Sequence, residues 1–268
     1  MTRNSDDKMV ALFADELRAA RERAGLTAAE LGALVNYSGS QISMIETRRR
    51  TATRDLARRC DTALETTGTL ERIQDLLKGM PFPSWFRPWV DIEAGASQIR
   101  SWESQVVGGL LQTEDYARVL LSTRVGTAEA DVEEQLTARM SRQAILDRLD
   151  PPLLWAVMDE GVLRRPVGNG NVMLGQCEHL LEMSARPNIV VQVIPASTGA
   201  HDGVNGSFAI ADYADALGMA YLETAMTGMI VEDPDQVATL NLIYSGLNTE
   251  ALPRAASVEL IKEVAKTW

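Results

Sequence analysis

The sequence predicts a multi-domain chain: an all-α unit of five short helices over residues 1–79, then a larger α+β unit with a small mixed sheet over residues 80–268. Three observations carry this reading. Apolar residues in the first 80 positions recur at helical spacing, with no alternating run that would mark a strand. After Pro151 and Pro152, the runs Leu153–Met158 and Ile189–Ile194 are short and apolar, the second rich in β-branched residues, and they flank a helical stretch from Val172 to Ala185. Charge divides the same way. Residues 1–80 hold 13 Lys and Arg against 12 Asp and Glu, and residues 81–268 hold 13 against 25, so a nearly neutral unit precedes a body near −12.

Each element has its own signal. The first helix runs from about Asp7 to Ala24 with Val10, Phe13, Leu17 and Ala24 inward, and Gly25 supplies a left-handed stop. Thr27 caps the second, which turns Leu31, Leu34 and Val35 inward and ends near Asn36, a residue that tolerates positive φ. Ser38 opens the third, which reaches about Glu46 with Ile42 and Ile45 inward. Thr53 and Thr69 are the expected caps of the fourth and fifth helices. Pro81, Pro83 and Pro88, interleaved with Phe82, Trp85, Phe86 and Trp89, form an aromatic junction, and the boundary falls near Gly79.

Residues 84–150 read as helical. Thr113 caps a helix through Leu121, and Thr127 caps a long one with Val132, Leu136, Met140, Ile145 and Leu149 inward. From residue 151 to 268 the chain contains the sheet. Strand, helix and strand between Leu153 and Ile194 imply a parallel crossover. Ser207–Ala211, Met219–Glu223 and Gly228–Val231 are further short strands, which makes the sheet mixed. Asp233-Pro234-Asp235-Gln236 begins a helix, with cap, proline and capping-box glutamine in order. A last helix starts near Ser257 with Val258, Ile261, Ala265 and Trp268 on one face.

A helix-turn-helix needs a small residue where the next helix crosses, a turn residue that accepts positive φ, and an apolar anchor in the following helix. Gly32, Asn36 and Ile42 occupy those places. Thr27-Ala28-Ala29-Glu30-Leu31-Gly32 resembles the second helix of the lambda-repressor-like Xre family, and Ser40-Gln41-Ile42-Ser43-Met44-Ile45-Glu46 its recognition helix, over residues 7–78. Members of that family often have Ala at the place of Gly32 and Gly at that of Asn36, and Ala28 replaces a frequent phosphate-touching Gln. The resemblance implies a lambda-repressor-like domain that binds double-stranded DNA. Thr27 and Ser38 stand at the helix starts that meet the backbone, while Gly39, Ser40, Gln41, Ser43 and Met44 are outward on the recognition helix. Gln41 can pair with adenine, and Met44 can lie on a thymine methyl. Arg48, Arg49 and Arg50 are placed to hold phosphates.

Farther along, Trp102-Glu103, Gly109-Leu110-Leu111-Gln112-Thr113-Glu114-Asp115-Tyr116-Ala117-Arg118, Arg142-Gln143, Leu154 to Glu160, Pro187 to Val193 and Tyr221-Leu222-Glu223-Thr224 are similar to actinobacterial antitoxin-like Xre regulators. In those proteins the second domain has no characterised function, so the resemblance supplies no site residues there. It does imply a regulator of the kind encoded beside a small protein partner. A second possibility is a small apolar effector walled by Trp85, Trp89, Trp102, Tyr116 and Trp155, with His201 in the glycine-rich loop 199–206 as a contact. Those aromatics have an alternative role as core, and His201 as an exposed loop residue.

Other classes are set aside by composition. At 46% hydrophobic and 24% charged the chain is globular, and its longest apolar run is far short of the roughly 20 residues of a membrane helix. Asp6 and Asp7 stand where a signal peptide is apolar, so no membrane association and a cytoplasmic location are expected. Two cysteines, Cys60 and Cys177, and two histidines supply no disulfide framework or metal-ligand spacing. Cys177 and His179 lie two apart on one helix and point apart. No catalytic residue, metal or cofactor is expected. The expected function is sequence-specific transcriptional regulation by a homodimer, because two related reading heads can span half-sites about one helical turn apart.

Overall fold

The computed structural model describes residues 3–50, 52–78, 82, 86–124, 127–214, 218–224 and 227–268. Its chain divides into two units, Met1–Ser84 and Trp85–Trp268, and the boundary expected at Gly79 lies outside the described residues. In the first unit the helices are α1 (Arg3–Arg23), α2 (Ala28–Val35), α3 (Gly39–Glu46), α4 (Arg54–Leu64) and α5 (Thr69–Lys78). Gly25, at φ +68°, ends α1 with paired bonds from its own N–H to Glu22 O (3.0 Å) and from Leu26 N–H to Arg21 O (3.1 Å). Ala24 is therefore beyond the helix and exposed, and Ala20, one turn earlier, takes the core position instead.

Leu34 also departs from expectation, at 60% exposed. The buried arc of α2 runs from Leu31 and Val35 round to Gly32, which leaves Leu34 on the opposite shoulder. Thr69 does not cap α5. That role falls to buried Asp61 of α4, whose carboxylate accepts the N–H groups of Leu70 (2.9 Å) and Glu71 (2.7 Å) and the hydroxyl of Thr66. The core these helices enclose includes Leu17, Leu31, Ile42, Leu56 and Leu70, all at most 1% exposed.

The second unit contains α6 (Arg87–Gly95), β1 (Gln98–Glu103), α7 (Glu114–Ser122), α8 (Glu129–Gln143), β2 (Leu153–Asp159), α9 (Glu160–Arg164) and α10 (Gly170–Ser184). After them come β3 (Ile189–Ile194), β4 (Phe208–Asp212), β5 (Met219–Glu223), β6 (Gly228–Val231), α11 (Pro234–Glu250) and α12 (Arg254–Ala265). The six strands are ordered β3-β2-β1-β4-β5-β6. Both β1–β2 and β2–β3 are parallel, and the remaining pairs are antiparallel, so the sheet is mixed as expected. β1 corrects the reading of residues 84–150 as helical, since it is a central strand with a neighbour on each side.

Two further expectations fail near α8. Ala128, not Thr127, precedes the helix, and it makes no side-chain cap. Leu149 is fully exposed, because α8 ends at Gln143 and a 3-10 turn at Ala144–Asp147 breaks the helical phase. The last helix begins at Arg254, and its inward residues are Ser257, Ile261 and Val264.

One face of the sheet packs Trp102, Val157, Phe208 and Ile210 against Val237, Tyr244 and Leu247 of α11. The other carries Ile99, Ala156 and Val191 against α10 and α12. Backbone and hydroxyl groups after α11 protect the β3 edge, where Leu252 N–H reaches Val193 O (2.9 Å) and Val193 N–H reaches Ser257 Oγ (3.1 Å).

Candidate nucleic-acid interface

The two helices of the motif are set by reciprocal caps. Thr27 Oγ1 accepts Glu30 N–H (3.2 Å) while Glu30 Oε2 accepts Thr27 N–H (2.8 Å), and Ser38 and Gln41 repeat the arrangement at α3 with 3.2 and 2.9 Å. Asn36 between them adopts φ +59°. The crossing is close on both sides. A Cβ on Gly32 would stand 2.7 Å from Tyr37 O and 2.9 Å from Gly39 N, and one on Gly39 would stand 2.7 Å from Ala29 Cα. Gly39 is thus occupied in packing on α2, whereas Ser40 and Ser43 are exposed and Gln41 and Met44 half-buried on the outer side of α3.

Ile42 and Ile45 anchor the inner side of α3 in the core. Its far end is clamped by Arg21, which donates from Nε and Nη2 to Glu46 at 2.6 and 2.9 Å and from Nη1 to Leu26 O at 2.8 Å. The guanidinium is held above its ordinary pKa, first by that hydrogen bond. Neither residue was a sequence candidate. They lie 25 positions apart and no local pattern joins them, while the two capping boxes were visible as Thr-x-x-Glu and Ser-x-x-Gln.

The three arginines are not equivalent. Arg48, at φ +62°, is the left-handed residue of a Schellman turn, with Arg48 N–H to Ile45 O at 3.0 Å and Arg49 N–H to Met44 O at 2.8 Å. Its guanidinium is bound to Asp15 of α1 at 3.1 and 3.2 Å. Arg49 and Arg50 are exposed and, among the described residues, make no ion pair. Thr27 is exposed too, with its hydroxyl donated to Glu30 (2.7 Å). A polar helix face, bounded by two exposed guanidiniums and seated on a Schellman turn, can enter a major groove and grip the flanking phosphates.

The aromatic candidates of the second unit do not meet round one pocket. Trp85 lies outside the described residues. Trp89 stacks on Tyr221 with centroids 5.5 Å apart, Trp102 is fully buried under α11 with its indole N–H on Gly203 O (2.8 Å), and Tyr116 is buried in a different cluster. Trp155 is half-buried beside Trp102, and its carbonyl accepts the Tyr244 hydroxyl at 3.1 Å. Trp89, Trp102 and Tyr116 are core, each in a different cluster, and Trp155 packs in the cluster of Trp102. His201 is not an exposed loop residue: its ring stands edge-on to Trp102, Nδ1 accepts Gly203 N–H (3.2 Å), and Nε2 lies 3.4 Å from Asp159 Oδ2. A Cβ on Gly203 would overlap the Trp102 ring, so the loop is packed shut there. Both cysteines are buried, with burial pushing Cys60 up to about 12 and Cys177 up to about 11, which keeps them as thiols.

Comparison with known proteins matches residues 12–72 to a family described as a helix-turn-helix domain. Residues 86–263 match a family described as a domain of unknown function (DUF5753). No curated protein and no solved structure matches the chain.

Proposed function

The chain belongs to the DUF5753 family and carries a helix-turn-helix DNA-binding domain ahead of that region, and from this premise we propose a sequence-specific transcriptional regulator that acts as a homodimer and pairs, antitoxin-like, with a small protein partner. The observation that carries the DNA reading is the α3 surface: Ser40, Gln41, Ser43 and Met44 outward between two capped ends, with Arg49 and Arg50 beside them, exposed and without an ion pair among the described residues. Gln41 and Met44 read bases, and the arginines and Thr27 hold backbone. The near-neutral first unit reads DNA while the acidic second unit, near −12, repels phosphate and attracts a basic partner. No catalytic step or cofactor enters this reading. An apolar effector finds little support, because Trp89, Trp102 and Tyr116 are consumed by packing.

The test is selection of binding sites from fragmented genomic DNA by the purified full chain, followed by anisotropy on the selected and scrambled duplexes at several salt concentrations. The expected result is a symmetric or repeated half-site bound far more tightly than scrambled DNA, with two chains per site. Absence of enrichment would reject the DNA reading, and one chain per site would reject the homodimer. Co-expression with the neighbouring small gene tests the partner, and failure to co-purify in a fixed ratio would reject it.

A further inference from the structure

A sheet of this order has two outer strands, β3 and β6, and their free sides differ. On β3, Val193 is closed on its outer side by Leu252 N–H and the Ser257 hydroxyl, and Gln192 Nε2 donates to Leu252 O at 3.0 Å. β6 has no such cover among the described residues. Its pairing with β5 runs unbroken from Glu223 opposite Gly228 to Ala220 opposite Val231, and Thr224 N–H donates to Thr227 O at 2.8 Å in the same register. That bond sets the phase of an antiparallel ladder, in which bonded and unbonded pairs alternate. Met229 and Val231 therefore turn their N–H and C=O groups to β5, and Gly228 and Ile230 turn theirs to the open edge. Among the described residues, the one hydrogen bond on that side runs from Thr227 Oγ1 to Gly228 O, at 3.3 Å.

An edge left in this state accepts a further strand unless a lysine, a proline or a bulge spoils the ladder. Gly228-Met229-Ile230-Val231 has none of these, and Met229 is 52% exposed. A Cβ on Gly228 would overlap the Tyr221 ring, so the backbone there stays bare. Carboxylates stand at both ends of β6. Glu223 is opposite Gly228, and Glu232, Asp233 and Asp235 follow Val231, all four exposed and, among the described residues, without an ion pair. These charges select the occupant. A second copy paired about a twofold axis at Ile230 would set Glu232 of one copy opposite Gly228 of the other, in the cross-strand row of Glu223, where like charges oppose pairing. A strand bearing Lys or Arg meets opposite charge at either end.

We propose that the outer edge of β6 is where the small protein partner docks, by adding an extended, basic strand to the sheet. Backbone bonds to Gly228 and Ile230 hold the strand, and basic side chains against Glu223, Glu232 and Asp233 select it over neutral or acidic ones. This mode of docking rests on the small partner proposed above. It stands apart from the DNA reading, because β6 and α3 lie in different units.

The experiment uses the full chain and two probes: a labelled synthetic peptide of alternating lysine and valine, and the co-expressed product of the neighbouring small gene. In anisotropy titrations the lysine peptide is expected to saturate at one per chain, and the same peptide with glutamate for lysine to bind about tenfold more weakly or worse. Bound peptide should slow amide hydrogen exchange at Gly228 and Ile230 and leave Met229 and Val231, already bonded to β5, unchanged. Methylating one alternate set of peptide amides should abolish binding, and methylating the other should spare it, because only one set faces the ladder. Ile230→Pro removes a donor that β5 does not use, so the fold should hold while peptide and partner both bind about tenfold more weakly or worse. If that variant does not fold, the two methylated peptides still decide. No peptide binding, unchanged exchange at Gly228 and Ile230, or a partner that co-purifies undiminished with folded Ile230→Pro would overturn the proposal. So would a parent chain that is dimeric alone and becomes monomeric in Ile230→Pro, since a second copy then holds the edge. A partner that fails to co-purify with the parent chain while the peptide still protects Gly228 and Ile230 would instead reject the small partner and leave the basic-strand edge in place.

Discussion

At the scale of single residues, the outward side of α3 holds side chains with two duties. Gln41 Oε1 closes the cap of its own helix while its amide is free to meet a base edge. Gln41→Ala should therefore relax base preference at one position by about 1–3 kcal/mol and also remove a cap bond worth about 0.5–1.5 kcal/mol. Gln41→Glu should keep the cap and the melting temperature, yet weaken every duplex, because a carboxylate then faces the groove. Equal losses on selected and scrambled DNA for Gln41→Ala would remove its reading role. Asp15 pairs with Arg48, and if Arg48 holds a phosphate as proposed, Asp15 competes for it. Asp15→Asn is expected to tighten binding to all sequences and to steepen the salt dependence by about 0.9, one phosphate contact's worth, in anisotropy titrations. Glu103 sets a pH dependence. Its folded pKa of about 8 lies above its ordinary 4.5, so the folded state holds the extra proton and stability is lost as pH rises through the higher value. Glu103→Gln has no such loss, and its melting temperature should gain on that of the parent chain between about pH 4.5 and about pH 8, with the gap level above that. A gap that stays constant over that range would show that Glu103 is not held protonated.

Elements are fixed by how their ends and faces meet neighbours, and here the α2–α3 crossing leaves no slack. Gly32→Ala places a methyl 2.7 Å from Tyr37 O and 2.9 Å from Gly39 N, both backbone atoms, so the helices must part. A loss of about 1–3 kcal/mol is expected in denaturant titrations, with weaker DNA binding from a shifted α3. Glu46→Gln leaves Arg21 without its carboxylate at a site where both side chains are at most 12% exposed, and about 3 kcal/mol is expected to go. What was legible follows from the same physics. Caps and left-handed stops are local, so Thr27, Ser38, Asn36, Gly25 and Asp233 announced helix boundaries directly. β1 was not legible because a central strand is buried on both faces. Ile99 and Trp102, three apart, face opposite layers and imitate helical spacing. Asp61 capping α5 and Arg21 clamping α3 reach across the fold, as do the residues that gather round Glu103, and no window of sequence contains such pairs.

At the scale of the whole molecule, the near-zero charge of the first unit and the near −12 of the second carry different consequences for DNA. Non-specific affinity is almost entirely phosphate attraction, and charges within about 10 Å of each other at 0.1 M salt still act together. On the proposed function, a tethered acidic unit is expected to subtract from binding to any duplex and to leave base readout by α3 untouched, which raises the ratio of specific to random binding. The first unit has a core of its own, from Phe13 to Ile73, and is expected to fold alone as residues 1–84. That fragment should bind scrambled DNA more tightly than the full chain at low salt, with the difference shrinking as salt rises and the Debye length contracts. Dimerisation by the second unit would oppose this on selected DNA, where the full chain gains from two linked half-sites. The two effects separate cleanly in one set of anisotropy titrations: the fragment ahead on scrambled duplex, the full chain ahead on the selected one. If instead both proteins bind scrambled DNA equally at low salt, the acidic unit does not screen the reading head, and its charge has to be explained by its partner alone.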